Sequence, residues 1–218
     1  MIDRVMVIVA AGRSVRFGDD KMLLTVAGKP LVAHTVAAVI EHVDRCILVC
    51  RPDQMPVLTD LGIGADLVAG GPSRTASERA GLEAIGEPAR LVGIHDGARP
   101  MVSADLIETL FETAAQVGGA IPVLKASAPM VRRADLAPVE DAFIAQTPQV
   151  FRGEPLVAAY SAAAVAGFQA QDTAAIARRF AEIDIEAVAG DPGNLKVTIP
   201  GDFDLVRNAL EPSRSEPR

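Results

Sequence analysis

The chain has no tryptophan, one tyrosine and seven phenylalanines in 218 residues. So few aromatics leave an aliphatic, Ala/Val-rich core, which fits an α/β protein better than a β-sandwich. Only two cysteines occur, Cys46 and Cys50. They stand four apart in a predicted strand and so face the same side, which suits neither a disulfide nor a zinc ribbon and points to buried packing. Positive charge is also scarce, with 21 Lys and Arg against 28 Asp and Glu, a net charge of −7. That balance argues against general nucleic-acid binding and against a membrane surface, so any anion must be held by a local cluster of cations. No uncharged apolar run reaches the length of about 18 residues that a spanning helix needs, and no secretory leader pattern is visible. The expectation is a soluble, cytoplasmic protein. No internal repeat is present.

What is present is organised around the first loop. Val5 to Ala11 is a short, β-branched, apolar run, the pattern of a buried parallel strand. It opens into a loop bounded by Gly12 and Gly18, with Arg16 within it and Lys21 just beyond. Small residues let backbone N–H groups approach an anion, and the two cations would balance a polyphosphate. Two familiar loops are excluded. A P-loop would need glycine where Phe17 stands and Lys-Ser/Thr where Gly18-Asp19 follow. A dinucleotide fingerprint would need glycine at Ser14 and an acid closing the second strand, which ends in Arg51. Alone, the loop is equally a basic strand-to-helix turn.

Read onward, strand and helix alternate. Strands are predicted at Cys46–Cys50, Ala65–Val68, Leu91–Asp96 and Gly119–Val123. Helices are predicted from about Pro30 to His42, around Gln54–Leu61, from Ser73 to about Ala84, and after a Ser103 N-cap through Ala115. This order implies a mostly parallel, doubly wound sheet with helices on both faces. Periodicity fails over Leu124–Gln146, which carries Pro129 and Pro138 and reads as an arm leaving the core. Helices at about Pro155–Ala166 and Gln171–Phe180 follow, then strands Ile183–Val188 and Leu195–Thr198 and a helix Pro200–Leu210. The whole is expected to be one domain over residues 1–210, with an arm at about 124–146 and a disordered tail at 211–218.

Four further stretches could carry chemistry. Gly70-Gly71-Pro72-Ser73-Arg74-Thr75-Ala76-Ser77 opens a helix, where N–H groups favour anions; a plain turn capped by Ser73 is the alternative. His95-Asp96-Gly97-Ala98-Arg99-Pro100 ends a strand, where Asp96 could hold a divalent metal and Arg99 clamp a phosphate, or the two could simply pair. Gln146-Thr147-Pro148-Gln149 closes the arm and reads otherwise as a turn, and Gly193–Thr198 places Lys196 in a strand where it could be a solvated edge lysine.

Taken in series, these pieces resemble the 2-C-methyl-D-erythritol 4-phosphate cytidylyltransferase family, of the nucleotide-diphospho-sugar-transferase-like (glycosyltransferase-A-like) class. The matching motifs are Ala10-Ala11-Gly12 with Arg16 and Lys21, Gly70-Gly71 with Arg74 and Ser77, and His95-Asp96-x-Ala98-Arg99-Pro100. They continue with Gln146-Thr147-Pro148-Gln149 and Asn194-Leu195-Lys196-Val197-Thr198. The resemblance implies a CTP site formed by Ala10, Ala11, Gly12, Gly71, Arg74, Ser77 and Asp96. It implies catalytic roles for Arg16, Lys21 and Lys196, Mg²⁺ at Asp96, and an acceptor phosphate reached by Arg99 and Thr147. It further implies a homodimer through the arm and a transfer from CTP to methylerythritol phosphate. A cytidylyltransferase for another polyol phosphate, such as ribitol 5-phosphate, or a weakly active nucleotide-binding paralogue are the alternatives. Four departures stand out. The family's Pro-Lys-Gln reads Asp20-Lys21-Met22, its Asp-Thr near the start of the arm is absent around Ser127-Ala128-Pro129, its Thr-Asp-Asp/Glu-Ala reads Ala170-Gln171-Asp172-Thr173, and Val139 stands where it carries an arm arginine. Arg132 or Arg133 are the arm's available replacements.

Overall fold

A strand with apolar residues on both faces must lie between two helical layers. In the computed structural model, which describes residues 1–12, 17–18 and 20–211, β1 (Ile2–Val9) is such a strand. Met6 and Ile8 turn into one core, and Val5 and Val7 into another on the opposite face. The next strand in the sheet, β4 (Arg45–Cys50), repeats the alternation. Cys46, Leu48 and Cys50 join the first core, and Ile47 and Val49 the second. Both thiols are therefore packed and free, and burial pushes Cys46 up to about 12.

The remaining elements follow in order. A ribbon of β2 (Thr25–Val26) and β3 (Lys29–Pro30) leads into α1 (Leu31–Val39). After β4 come α2 (Met55–Asp60), β5 (Asp66–Ala69), α3 (Arg74–Glu83), β6 (Ala89–Asp96), α4 (Ala104–Val117) and β7 (Gly118–Lys125). Ser73 and Ser103 cap α3 and α4, their hydroxyls accepting from Ala76 N at 3.1 Å and Leu106 N at 3.4 Å. Then come β8 (Met130–Val131), β9 (Pro138–Val139), β10 (Phe143–Ala145), β11 (Gln149–Arg152), α5 (Gly153–Val165), α6 (Thr173–Phe180), β12 (Asp184–Ala189) and α7 (Pro200–Leu210). The main sheet runs β10-β7-β11-β6-β1-β4-β5, with β12 beside β7. Strands β5, β4, β1 and β6 are mutually parallel, as are β7 and β12, whereas β10 and β11 run antiparallel to their neighbours. Helices α1, α4 and α7 cover one face and α3, α5 and α6 the other, so the sheet is doubly wound and mostly parallel.

Two expectations need correction. Gln149, read as the end of a turn, begins β11, an antiparallel strand between β6 and β7. Four residues are too few to carry a periodic signal, and Gln149 is buried without being apolar. Leu195–Thr198 joins no ladder. Its backbone partners are irregular instead: Val197 N–H donates to Ala98 O at 2.9 Å, and Lys21 Nζ donates to Val197 O at 2.7 Å. Expectations about Arg16 and residues 212–218 lie outside the described residues.

The seat of α3 on the sheet depends on Gly81. A Cβ built there overlaps the Val7 side chain and stands 2.8 Å from Val49 Cγ2, both within the close-packed second core. Overpacking a core costs about 1–3 kcal/mol, more than the fraction of a kcal/mol by which valine exceeds glycine as a helix former. Gly81→Val is expected to lower the unfolding free energy by about 1–3 kcal/mol, read as a lower midpoint in thermal denaturation.

Candidate active site

The four parallel strands β5, β4, β1 and β6 end on one edge of the sheet. The chain leaves β1 for β4 on one side and returns to β6 on the other, which is a topological switch point. The loops there surround a cavity of about 720 Å³, lined by Ala11 and Gly12 after β1, Arg51 and Asp53 after β4, and Gly70, Gly71, Arg74 and Ser77 after β5. Asp96 and Ala98 line it after β6, and Lys21, Lys196 and Thr198 complete it. Bare backbone at Gly70 and Gly71 is a packing requirement. A Cβ on Gly70 would overlap Ala11 Cβ, and one on Gly71 would stand 2.6 Å from Ala76 Cβ.

Of the residues singled out in the sequence, the fold thus gathers Ala11, Gly12, Lys21, Gly71, Arg74, Ser77, Asp96 and Lys196 around one cavity. Ala10 is buried just behind them. Arg99 and Thr147 are buried behind Asp96 and are not among the cavity-lining residues.

Asp96 is the electrostatic centre. Arg74 Nη1 reaches its Oδ1 at 2.5 Å, Lys196 Nζ its Oδ2 at 2.7 Å, and Arg99 Nε stands 3.5 Å from Oδ2, too far for a hydrogen bond. Burial alone would raise this carboxyl, but Arg74 and Lys196 hold it well below the usual carboxylate range. Lys196 is therefore an ion-pair partner and neither a strand residue nor a solvated edge lysine. Burial pulls the Arg74 guanidinium down, and Asp96 and Glu78 outweigh it and leave it raised. Arg99, whose Nη1 donates to Asn194 O at 2.6 Å, is lowered by burial despite Asp96.

The backbone of Asp96 is fixed by a directed chain of hydrogen bonds. Its N–H donates to Thr147 Oγ1 at 3.0 Å. Thr147 Oγ1 lies 3.0 Å from His95 Nδ1, and His95 Nε2 lies 3.2 Å from Arg99 O. A carbonyl only accepts, so Nε2 carries the proton, neutral Nδ1 accepts, and the threonine hydroxyl must donate to it. One proton arrangement satisfies every member. Asn194 Nδ2 closes the assembly by donating to Thr147 O at 2.8 Å.

The cavity's other wall is a second cluster. Arg51 pairs with Asp20 at 2.6 Å and Asp53 at 2.9 Å, and Gln54 Nε2 donates to both Asp20 oxygens at 2.9 Å. Asp20 precedes Lys21, so this cluster ties the lysine's segment to the loop after β4.

Among the described residues, no group of three His, Cys, Asp or Glu side chains is set to hold a metal. Asp96 is one carboxylate with both oxygens facing cations. Such a site fits Mg²⁺ only as an ion carried in on phosphate oxygens, the usual way this ion is held with one or two carboxylates.

Sequence reading missed Glu78, Tyr160 and Thr173, a buried trio beneath Arg74. One signal was available. Thr75, Glu78, Leu82 and Ile85 recur at the spacing of a core-facing helix stripe, and a carboxylate on that stripe requires a partner.

Burial holds His95 down at about 4, against the opposing pull of Asp96. A neutral buried imidazole stabilises the fold fully above its unfolded pKa of about 6.5, and that contribution is lost as pH falls from there to about 4. Glu78, raised by burial, contributes with the opposite sign from about pH 4.5 upward, within the same window, so the imidazole itself is the proper readout. NMR titration is expected to show His95 neutral and protonated on Nε2 down to about pH 4; a midpoint near 6.5 would contradict the hydrogen-bond chain.

The geometry can be set beside known proteins. Residues 4–211 match the IspD family model, described as 2-C-methyl-D-erythritol 4-phosphate cytidylyltransferase. A protein of that name from Cereibacter sphaeroides is 40% identical over 211 residues, covering 90% of this chain and 92% of the relative. Another from Thermosynechococcus vestitus is 35% identical over 224 residues, covering 95% of each. The crystal structure of the Thermus thermophilus protein of that name superposes with a TM-score of 0.79 at 29% identity, covering 93% of this chain and 96% of that one. With a fold, a cavity and a motif series that all agree, the chain belongs to the 2-C-methyl-D-erythritol 4-phosphate cytidylyltransferase family.

Proposed function

We propose that this protein joins CTP to 2-C-methyl-D-erythritol 4-phosphate, releasing pyrophosphate and giving the CDP-linked polyol of isoprenoid precursor synthesis. The observation that carries the reading is the convergence of Lys21, Arg74 and Lys196 on a switch-point cavity beside Gly12, Gly71 and Ser77. An acceptor phosphate oxygen attacks the α-phosphorus of CTP, a new P–O bond forms, and the bond to the β-phosphate oxygen breaks in line. Two anions must be brought together, so the work is positioning and charge stabilisation.

The roles follow from place. Ala11, Gly12, Gly71 and Ser77 offer backbone and one hydroxyl to the nucleoside and the first phosphate, with Ala10 packed behind them. Lys21 faces the triphosphate, and the family resemblance gives Arg16 of the same loop the same task. Lys196 is the cation of the Asp96 group best able to move, with 36% of its side chain exposed. It transfers from the carboxylate to the developing charge. The acceptor phosphate lies on the Lys196 side, where Arg99 and Thr147 back the wall. Mg²⁺, when bound with CTP, would be held by Asp96 and would neutralise phosphate charge.

The same proposal makes the protein a cytoplasmic homodimer joined through the arm. Among the described residues no helix is long and apolar enough to cross a membrane. Met130, Val131, Leu136, Val139, Phe143 and Ile144 are all exposed on the arm, an apolar concentration that suits a second copy. Val139 at this surface offers no charge to a phosphate, while Arg132, paired with Asp135 at 3.1 Å, is exposed nearby.

Pyrophosphate release with CTP, Mg²⁺ and methylerythritol phosphate tests the reaction, with ribitol 5-phosphate as the control acceptor. Release with methylerythritol phosphate is expected, and Lys21→Ala and Lys196→Ala are each expected to lower turnover by about 10² or more. Near-normal rates in both variants would remove the mechanism. Sedimentation is expected to find a dimer that Phe143→Asp weakens; a monomeric wild type would remove the arm assignment.

A further inference from the structure

Behind Arg74 lies a polar trio inside an apolar layer. Glu78 is fully buried on α3, and Tyr160 of α5 and Thr173 of α6 are buried against it. Tyr160 Oη donates to Glu78 Oε2 at 2.8 Å, and Thr173 Oγ1 donates to Glu78 Oε1 at 3.3 Å. Arg74 Nε stands 2.8 Å from Glu78 Oε1, an ion pair by distance whose N–H is not aligned on the oxygen. Three elements therefore place two hydroxyls and one cation around one carboxylate. The neighbours of this group are otherwise aliphatic: Leu156, Ala159, Ala163, Ala174 and Ile176 fill the same core.

A buried ionised carboxylate is unfavourable unless every oxygen is satisfied, and replacement by apolar packing is often neutral or better. Stability alone does not call for this trio. Its geometry serves the cavity instead. Arg74 is held from two sides, by a hydrogen bond from Nη1 to Asp96 and by the ion pair of Nε with Glu78, which restricts where its guanidinium can sit. The chain Glu78–Arg74–Asp96–Lys196 alternates in sign from the core to the cavity. It also sits where the sequence departs from its family, since Thr173 closes the altered segment Ala170-Gln171-Asp172-Thr173. The acid in that segment, Asp172, caps α6 by accepting from Ala175 N at 2.9 Å, so it is not the charge behind Arg74.

We propose that Glu78, held by Tyr160 and Thr173, is a positioning residue for the transfer reaction, acting through Arg74 to hold Asp96 and Lys196 in register at the cavity wall. The proposal rests on the cytidylyl-transfer reading of that cavity. Glu78 touches no substrate. Its loss frees Arg74 to swing toward the nucleotide while adding net positive charge beside an anion. Turnover then falls, and the KM for CTP does not rise.

A double-mutant cycle tests this with Glu78→Gln, Arg74→Gln and the pair, using pyrophosphate release for kcat and KM and calorimetry for CTP affinity. Glu78→Gln is expected to lower kcat about tenfold, with KM for CTP unchanged or lower, and to change kcat less than about twofold when Arg74 is already glutamine. Tyr160→Phe, which removes one hydroxyl, is expected to give a smaller loss that also vanishes in the Arg74→Gln background, and it carries the test if Glu78→Gln fails to fold. Losses that simply multiply, or a raised KM at normal kcat, would overturn the positioning role while leaving the transfer reaction standing. A wild type that neither binds CTP nor releases pyrophosphate would overturn both.

Discussion

The structure depends on one buried negative charge. An ionised carboxylate taken out of water costs several kcal/mol unless it is paired, and Asp96 is nearly fully buried. Its cations come from separate parts of the chain, Arg74 from the start of α3 and Lys196 from the segment after β12, with Arg99 of the β6–α4 loop close by. The charge therefore joins segments that no strand ladder connects. Removing one partner of such a group is strongly destabilising, so the fold and the electrostatics of the cavity are held by the same contacts.

Backbone geometry supports that charge from behind. The run from Asp96 N–H through Thr147 and His95 to Arg99 O crosses from β6 to the turn before β11 and back. Each polar atom has one available role, because a neutral imidazole must split its two nitrogens between donor and acceptor. Arg99 bonds Asn194 O and Asn194 bonds Thr147 O, so the irregular segment carrying Lys196 is tied to the same frame. Preorganised charge of this kind need not be rearranged at the moment of reaction.

Much of this was legible in the residues. Val5 to Val9 announced a strand buried on both faces, and the small and cationic residues after it announced the cavity's first wall. The first three motifs of the series fall at the ends of β1, β5 and β6, because a parallel sheet brings the loops after its strands to one edge whatever their spacing in sequence. Three features were missed, each for its own reason. β11 is four residues long and begins with a buried glutamine, so neither period nor hydropathy marks it. Leu195–Thr198 reads as a strand, yet its backbone groups are satisfied by Ala98 and Lys21, contacts made only after folding. Glu78 looks like a surface residue of a helix rich in polar groups, and its burial depends on Tyr160 and Thr173 arriving from 82 and 95 residues away.

A protein of net charge −7 that binds anions faces a selectivity problem, because its few exposed cations would attract any phosphate. Here Arg51 is paired with Asp20 and Asp53, and Arg74 and Lys196 with Asp96. At Arg51, Arg74 and Lys196 a ligand must therefore exchange with an existing ion pair and cannot simply add to a bare charge. A lone phosphate that drew one cation from Asp96 would leave that buried carboxylate short of a partner, which yields little net gain. A polyphosphate that spans several cations at once, and arrives with its own counter-ion, leaves fewer charges unmatched. The paired state of the cavity thus discriminates by the total charge and reach of the ligand, and the size of the cavity, about 720 Å³, leaves room for a nucleotide rather than a phosphate alone.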